Sequence, residues 1–151
     1  MQIHFVADYA GFELKNAILS YVRDELGYEV VDHGATDFDK DDDYPPFMHA
    51  AEEAVATEPN AARAILFGGS GQGEAITANR IPYVRAAVYY SGPLEIITLS
   101  RTHNNANVLS LGARFLSEDA AKEAVKLWLE TPFSNDERHI RRIAMLDNRD
   151  R

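Results

Sequence analysis

The segment Phe67-Gly68-Gly69-Ser70-Gly71-Gln72-Gly73-Glu74 decides how the chain is interpreted. It follows an apolar run at residues 64–67, which is typical of a buried strand, and it leads into a helix-like pattern at residues 74–79. A glycine-rich turn in this position brings backbone N–H groups together at a helix N-terminus, where the helix dipole favours an anion. The spacing matches neither the nucleoside-triphosphate loop nor a regular dinucleotide-binding fingerprint, so the segment predicts another kind of anion site.

Outward from this turn, strand-like apolar segments alternate with segments of helical periodicity. The predicted strands are residues 3–7, 29–32, 64–67, 85–89 and 108–111. The predicted helices are residues 12–26 with Gly27 as C-cap, 47–57, 74–80, 93–102, 118–130 after the N-cap Ser117, and 134–146 after a capping box formed by Ser134 and Glu137. This alternation predicts an α/β fold: a Rossmann-like three-layer sandwich, with a parallel sheet of about five strands and helices on both faces. The whole chain, residues 1–151, is predicted to form a single domain.

Ligands of such sheets bind beyond the carboxyl ends of the strands. Asp8, the turn at residues 68–74, residues 89–92 and residues 112–114 each follow a predicted strand directly. We therefore expect these four segments to converge on one crevice.

Composition excludes several classes of function. The chain has no cysteine, so disulfides, thiolate zinc sites and a cysteine nucleophile are excluded. A net charge of −9 disfavours binding to nucleic acid, because phosphate backbones attract basic surfaces. No apolar run approaches the length of roughly 20 residues that a membrane span needs. No signal peptide is apparent at the N-terminus, and we expect a cytoplasmic protein without contact to a membrane.

The acidic segment at residues 37–43 holds five aspartates and is interpreted as a solvated loop. A calcium site is the less favoured alternative, because the segment lacks the glycine and the final glutamate of an EF-hand loop. The histidines His4, His33 and His49 have no metal-ligand spacing. The sequence therefore predicts no metal site.

Two side chains are candidates for proton transfer. Glu74 either complements the dipole of its helix or acts as a base on carbon, with the turn amides holding the resulting oxyanion. His103 either satisfies carbonyl groups at a helix C-terminus or serves as a general acid and base at neutral pH. Asn104 is a candidate for binding a hydroxyl group.

Three arginines are candidates for an anion clamp. Arg138 and Arg142 are four residues apart and share one face of the last helix. Arg114 directly follows the fifth predicted strand. Each is either a solvated surface charge or part of a phosphate site, for which a guanidinium fork is well suited.

Six motifs, in this order along nearly the whole chain, resemble the sugar-phosphate isomerase family that includes ribose-5-phosphate isomerase B and the galactose-6-phosphate isomerase subunits. They are residues 7–15 (ADYAGFELK), 43–45 (DYP), 69–74 (GSGQGE) with 78–80 (ANR), 101–107 (RTHNNAN), 112–114 (GAR) and 138–142 (RHIRR). One motif alone would be weak, whereas the ordered set is specific.

The resemblance implies an aldose–ketose isomerase that interconverts ribose 5-phosphate and ribulose 5-phosphate without a metal or organic cofactor. It assigns the catalytic roles to Glu74, which moves a proton between C2 and C1 through an enediolate, to His103, which opens the sugar ring, and to Ser70. The substrate-binding residues that it implies are Asp8, Tyr9, Gly69, Ser70, Gly71, Gln72, Gly73, Asn104, Arg114, Arg138 and Arg142, the three arginines being assigned to the phosphate. It also implies a homodimer, with a tetramer as the alternative, in which the last helix of one subunit serves the site of its neighbour.

The family has two versions of the base, and this chain resembles the second. One version has a cysteine at the start of the glycine turn, where Gly68 stands here; the other has a glutamate at the end, where Glu74 stands. Two positions depart from the family's usual pattern: Tyr9 replaces a histidine, and Thr102 replaces a glutamate. The change at Tyr9 keeps one alternative open, an isomerase of a six-carbon sugar phosphate, such as galactose or allose 6-phosphate. The alternative that is not an enzyme is a sugar-phosphate-binding module without turnover, and the presence of both Glu74 and His103 argues against it.

Overall fold

The computed structural model describes residues 1–34, 41 and 43–148, and these contain five strands and six helices. The strands are β1 (Gln2–Ala7), β2 (Glu29–Asp32), β3 (Ala62–Gly68), β4 (Ala86–Tyr89) and β5 (Val108–Gly112). The helices are α1 (Phe12–Asp24), α2 (Pro45–Thr57), α3 (Gln72–Ala78), α4 (Glu95–Thr102), α5 (Glu118–Glu130) and α6 (Glu137–Asp147).

The five strands form one parallel sheet in the order β2-β1-β3-β5-β4. The sheet has a hydrophobic core on each face. Successive residues of β1 belong to different cores, because successive side chains of a strand point to opposite faces. Phe5 packs with the apolar side chains of α1, α4 and α5, whereas Val6 packs with those of α2 and α3. The predicted three-layer α/β sandwich is therefore confirmed.

Helix ends account for most differences from the sequence prediction. Helix α1 ends at Asp24, before the predicted residue 26, and its C-cap is Glu25 instead of the predicted Gly27. Gly27 does adopt a left-handed conformation, with a φ of +76°. Helix α2 begins earlier than predicted, at Pro45, because proline is well tolerated in the first turn. Ser117 is confirmed as the N-cap of α5, since its Oγ accepts a hydrogen bond from the N–H of Ala120.

The predicted capping box of the last helix is wrong. Helix α6 begins at Glu137, with Asp136 as its N-cap, instead of near residue 134. The N–H of Ser134 donates to the carbonyl of Thr102 at the end of α4, and Asn135 has a left-handed φ of +59°. These features keep residues 134 and 135 out of the helix. Helix α6 ends at Asp147, one residue beyond the predicted end.

Within the described part of the chain, no helix combines the length and the apolar character that crossing a membrane requires. The same part holds no group of three or more histidine, cysteine, aspartate or glutamate side chains that could bind a metal ion.

Of the acidic segment, residues 37–40 and 42 lie outside the described residues. Its interpretation as a solvated loop, and the cytoplasmic location, stay predictions.

Candidate active site

The carboxyl ends of β1, β3 and β5 meet at one edge of the sheet and form a crevice there. The N–H of Asp8, after β1, donates to the carbonyl of Phe67 in β3 at 3.0 Å. The N–H of Arg114, after β5, donates to the carbonyl of Gly69 at 3.1 Å. Tyr90, after β4, lies beside Gly112, since a Cβ on that glycine would be 2.7 Å from the Cβ of Tyr90. The structure thus brings the four predicted segments together.

The glycine turn fits tightly against the end of β5. Gly71 adopts a left-handed φ of +77° as the N-cap of α3, and a Cβ there would approach the backbone of Leu111 and Gly112 to 3.0–3.1 Å. The hydroxyl of Ser110 donates to the carbonyl of Gly71 at 2.6 Å. Ser70 stays within the turn, where its Oγ accepts from the N–H of Gln72 at 3.3 Å. The turn is therefore closely packed against the end of β5.

Glu74 is almost fully buried in this crevice, with 4% of its surface exposed. Its carboxyl group lies against Gly68, because a Cβ on that glycine would be only 2.1–2.3 Å from the Glu74 Cδ and carboxyl oxygens. Burial raises the pKa of Glu74, and the nearby charge of Asp8 raises it further, while a backbone N–H opposes the shift. A buried carboxylate with a raised pKa is suited to accept and return a proton.

Asp8 is the second carboxylate of the crevice. Burial raises its pKa, although the backbone N–H groups of Gly11, Ala10 and Gly69 and the charge of Arg114 act in the opposite direction. The Gly11 N–H bond to Oδ1 measures 2.8 Å. These hydrogen bonds fix the orientation of Asp8 towards the glycine turn.

Arg114 covers the glycine turn from the side of β5. Its Nη2 donates to the Tyr9 hydroxyl at 2.9 Å, and its guanidinium lies 3.1–3.3 Å from the position that a Cβ on Gly69 would occupy.

The Tyr44 hydroxyl lies against Gly73, where a Cβ would be 2.4 Å from Tyr44 Oη. The sequence places Tyr44 in a motif but does not predict its contact with Gly73. That contact depends on how α2 packs against α3.

His103 belongs to a second group of side chains, at the C-terminus of α4. Its ring stacks on the ring of His139 from α6, with centroids 4.3 Å apart and an interplanar angle of 15°. Burial lowers the pKa of His139, and the charges of His103, Arg138 and Arg142 lower it further, against an opposing effect of Asp136. The sequence analysis gives His139 no role. The feature that could have identified it as a site residue is its position between the candidate arginines Arg138 and Arg142.

The predicted site residues therefore fall into two groups within one chain. The crevice group contains Asp8, Tyr9, the glycine turn, Glu74 and Arg114, and the helix group contains His103, Arg138 and Arg142. Among the described residues, no hydrogen bond or ion pair joins a side chain of the helix group to Glu74. Arg114 lies in the crevice group, whereas Arg138 and Arg142, which were expected to bind the same phosphate from a neighbouring subunit, lie on α6 in the helix group.

Asn104 lies in neither group. Its side chain lines an open cavity of about 410 Å³ between the ends of α3, α4 and α6, together with Asn79, Arg85 and Asp147. Arg85 and Asp147 form an ion pair at 3.3 Å across this cavity. The structure thus places Asn104 next to His103 in sequence but outside the crevice of its own chain.

Comparison with known proteins gives consistent matches over almost the full length. The model of the Ribose/Galactose Isomerase family matches residues 3–146. A protein of Mycobacterium tuberculosis named ribose-5-phosphate isomerase B is 39% identical over 146 residues, which cover 97% of this chain and 88% of that protein. The protein of the same name from Mycobacterium leprae is 37% identical over the same length and coverage.

Solved structures agree with these sequence matches. The crystal structure of ribose-5-phosphate isomerase B from Mycoplasma genitalium with bound ribulose-5-phosphate superposes with a TM-score of 0.91 and 33% identity, covering 97% of this chain and 93% of that one. A ribose 5-phosphate isomerase from Thermotoga maritima gives a TM-score of 0.88 and 34% identity, covering 98% of both chains.

Proposed function

The chain belongs to the ribose/galactose isomerase family, and on this basis we propose that it interconverts ribose 5-phosphate and ribulose 5-phosphate. The observation that carries this proposal is the position of Glu74, a buried carboxylate with a raised pKa beside a turn rich in backbone N–H groups. Relatives that share this chain's length and fold bear the name of that activity.

In the proposed reaction, Glu74 takes the proton from C2 of the open-chain aldose and returns a proton to C1. The hydroxyl proton moves from O2 to O1, so that the carbonyl group ends at C2 and the formula is unchanged. The N–H groups of residues 69–73 stabilise the negative oxygen of the enediolate, with Ser70 as part of this turn. Burial suits Glu74 to this role, because a base with a pKa nearer to neutrality both accepts and returns the proton readily.

The remaining predicted residues act on the ring and the phosphate group. His103 opens the furanose ring as a general acid and base, and Asp8 binds the sugar hydroxyls. Asn104 binds the sugar as well. Arg114, Arg138 and Arg142 bind the phosphate, for which guanidinium groups provide paired N–H donors.

We further propose that the site is shared between the two subunits of a homodimer. The division into a crevice group and a helix group supports this arrangement, because the helix group of a neighbour can complete the crevice. Large apolar side chains that are exposed in the single chain also support it. They include Ile76, Leu99, Phe115, Ile140, Met145 and Leu146.

Tyr9 favours one alternative substrate. It replaces the histidine of the family's first loop and contacts Arg114, so an isomerase of a six-carbon sugar phosphate stays a second candidate. The value of kcat/KM for ribose, allose and galactose phosphates compares the two directly. A clear preference for a hexose phosphate would replace the first proposal by the second.

The reaction is tested by incubating the purified protein with ribose 5-phosphate and measuring ribulose 5-phosphate. Glu74→Gln should lower kcat by about 10²–10⁴-fold, the usual contribution of a general base. Glu118→Gln is a matched control, since Glu118 also lies in the first turn of a helix but is exposed and pairs with Lys122. Unchanged turnover in Glu74→Gln would contradict the mechanism.

Binding of ribose 5-phosphate without exchange of its C2 proton into solvent would indicate a module without turnover.

A further inference from the structure

Arg114 is held by two contacts that come from distant parts of the chain. Its Nη2 donates a hydrogen bond to the hydroxyl of Tyr9 at 2.9 Å, and its Cζ lies 5.9 Å from the centroid of the Tyr9 ring. Its Nη1, Cζ and Nε lie within 3.1–3.3 Å of where a Cβ on Gly69 would be. The guanidinium therefore rests between a phenol group and the backbone of the glycine turn.

Asp8 lies near the same guanidinium, and the positive charge of Arg114 lowers the pKa of Asp8. Among the described residues, no hydrogen bond or ion pair joins the two side chains, and the guanidinium donates to the Tyr9 hydroxyl instead. A carboxylate and a phosphate both form paired hydrogen bonds with a guanidinium, so a full Arg114–Asp8 pair would occupy the donors that a phosphate needs. A phenol hydroxyl, in contrast, accepts a hydrogen bond without neutralising the cation.

We propose that Tyr9 is a positioning residue that holds Arg114 over the glycine turn and away from Asp8, with its charge available to the substrate phosphate. This inference rests on the proposed function, because it assumes that Arg114 binds the phosphate of a sugar phosphate. Tyr9 acts through Arg114 and takes no part in the proton transfer at Glu74. It therefore determines affinity for phosphorylated ligands, whereas the rate of the chemical step depends on other groups.

The variant Tyr9→Phe tests this role, because it keeps the ring and removes only the hydroxyl. Since the hydrogen bond lies at the surface, we expect a modest rise in KM for ribose 5-phosphate of about three- to tenfold, with kcat changed less than about twofold. The inhibition constant of inorganic phosphate should rise by the same factor. Tyr21→Phe is the matched control, since it removes a tyrosine hydroxyl on α1 and should leave both constants unchanged.

A double-mutant cycle separates positioning from a direct contact with substrate. If Tyr9 acts through Arg114, Tyr9→Phe should have no further effect on KM or on phosphate inhibition in an Arg114→Ala background. Tyr9→His should restore KM at a pH where the imidazole is neutral and accepts the hydrogen bond. It should lose that restoration at lower pH, because an imidazolium repels Arg114.

The possible results distinguish the inference from the function on which it rests. If the wild-type protein isomerises ribose 5-phosphate but Tyr9→Phe has wild-type KM and phosphate inhibition, the inference is wrong and the function stands. A fall in kcat at unchanged KM would also overturn the inference. If the wild-type protein does not isomerise the sugar, the proposed function fails, and calorimetric titration with inorganic phosphate still decides the inference. Equal phosphate affinity of the wild type and Tyr9→Phe would then overturn it.

Discussion

At the scale of single residues, Glu74 and Gly68 exclude each other's side chains. The carboxyl group of Glu74 fills the volume that any side chain at residue 68 would need. This contact means that the turn has room for a side chain at residue 68 or for the carboxyl group of Glu74 in its present position, but not for both. The absence of a side chain at Gly68 is thus a condition for the buried position of Glu74.

Gly68→Ala should therefore displace Glu74, the proposed base, while the fold persists. The backbone of Gly68 is not in the left-handed region, and the clash falls on the far end of a side chain that can rotate. We expect kcat to fall by at least about 10²-fold, as for the loss of a general base, with a small change in melting temperature. In a Glu74→Gln background the same substitution should lower kcat no further. Equal losses in both backgrounds would show that residue 68 acts independently of Glu74.

The pH dependence of activity should report the environment of Glu74. In the proposed mechanism Glu74 must be ionised to accept a proton, so kcat/KM should fall as the pH drops through the pKa of Glu74. Burial and the charge of Asp8 raise this pKa, which places the acid limb of the profile above the ordinary value of 4.5.

Asp8→Asn should move that limb to lower pH, because it removes the like charge beside Glu74. The measurement is kcat/KM between about pH 4 and 8, with Asp24→Asn on the exposed end of α1 as control. A limb that stays in place or moves upward in Asp8→Asn would show that Asp8 does not influence the base.

At the scale of secondary-structure elements, helix α2 carries a buried carboxyl group away from the crevice. Glu52 is fully buried, and among the described residues neither carboxyl oxygen has a hydrogen-bond partner. The Nδ1 of His49 lies 3.4 Å from its Oε2. Burial raises the pKa of Glu52 to about 7 from an ordinary value of 4.5. Because the folded protein favours the protonated form, Glu52 stabilises the fold most below about pH 4.5. This advantage declines as the pH rises towards 7.

Glu52→Gln should remove that pH dependence. Relative to the wild type, Glu52→Gln should raise the free energy of unfolding at pH 8 by on the order of 3 kcal/mol more than it does at pH 5. Denaturant unfolding at both pH values measures it, with Glu53→Gln as control because Glu53 is the exposed neighbour on the same helix. Parallel pH profiles of the wild type and Glu52→Gln would contradict the raised pKa.

The elements themselves follow largely from local sequence patterns. Strand β3 and the turn after it could be predicted because a strand buried on both faces is an apolar run, and because few residues other than glycine tolerate the conformation of Gly71. The start of α6 could not be predicted from the sequence. It depends on the hydrogen bond from Ser134 to Thr102, which is a tertiary contact. The stacking of His103 on His139 was missed for the same reason, since it depends on how α6 packs against the end of α4.

At the scale of the whole molecule, the separation of the two residue groups makes the proposed dimer testable. In a mixture of Glu74→Gln and Arg138→Ala subunits, each mixed dimer has one site with both changes and one site with neither. After subunit exchange at equal concentrations, activity should recover to about one quarter of the wild-type value, because about half of the dimers are mixed. Isomerase activity before and after exchange measures the recovery.

Glu74→Gln mixed with Asp8→Asn is the matched control for subunit exchange. Both changes lie in the crevice group of one chain, so every site of a mixed dimer carries one of them, and the activity of the mixture should stay at the average of the two parent proteins. Recovery in neither mixture, with exchange verified by mass, would mean that the crevice and helix groups do not come from different subunits.

The strands that carry the crevice, β1, β3 and β5, are neighbours in the sheet but distant along the chain. Asp8, the glycine turn and Arg114 meet only when Gln2 has paired with Ala62 and Ala64 with Val108. Long loops must close before such pairs form, and this requirement slows folding. The proposed proton-transfer site therefore forms only with the completed central sheet, and we expect a chain still being synthesised to have no complete crevice until β5 has left the ribosome.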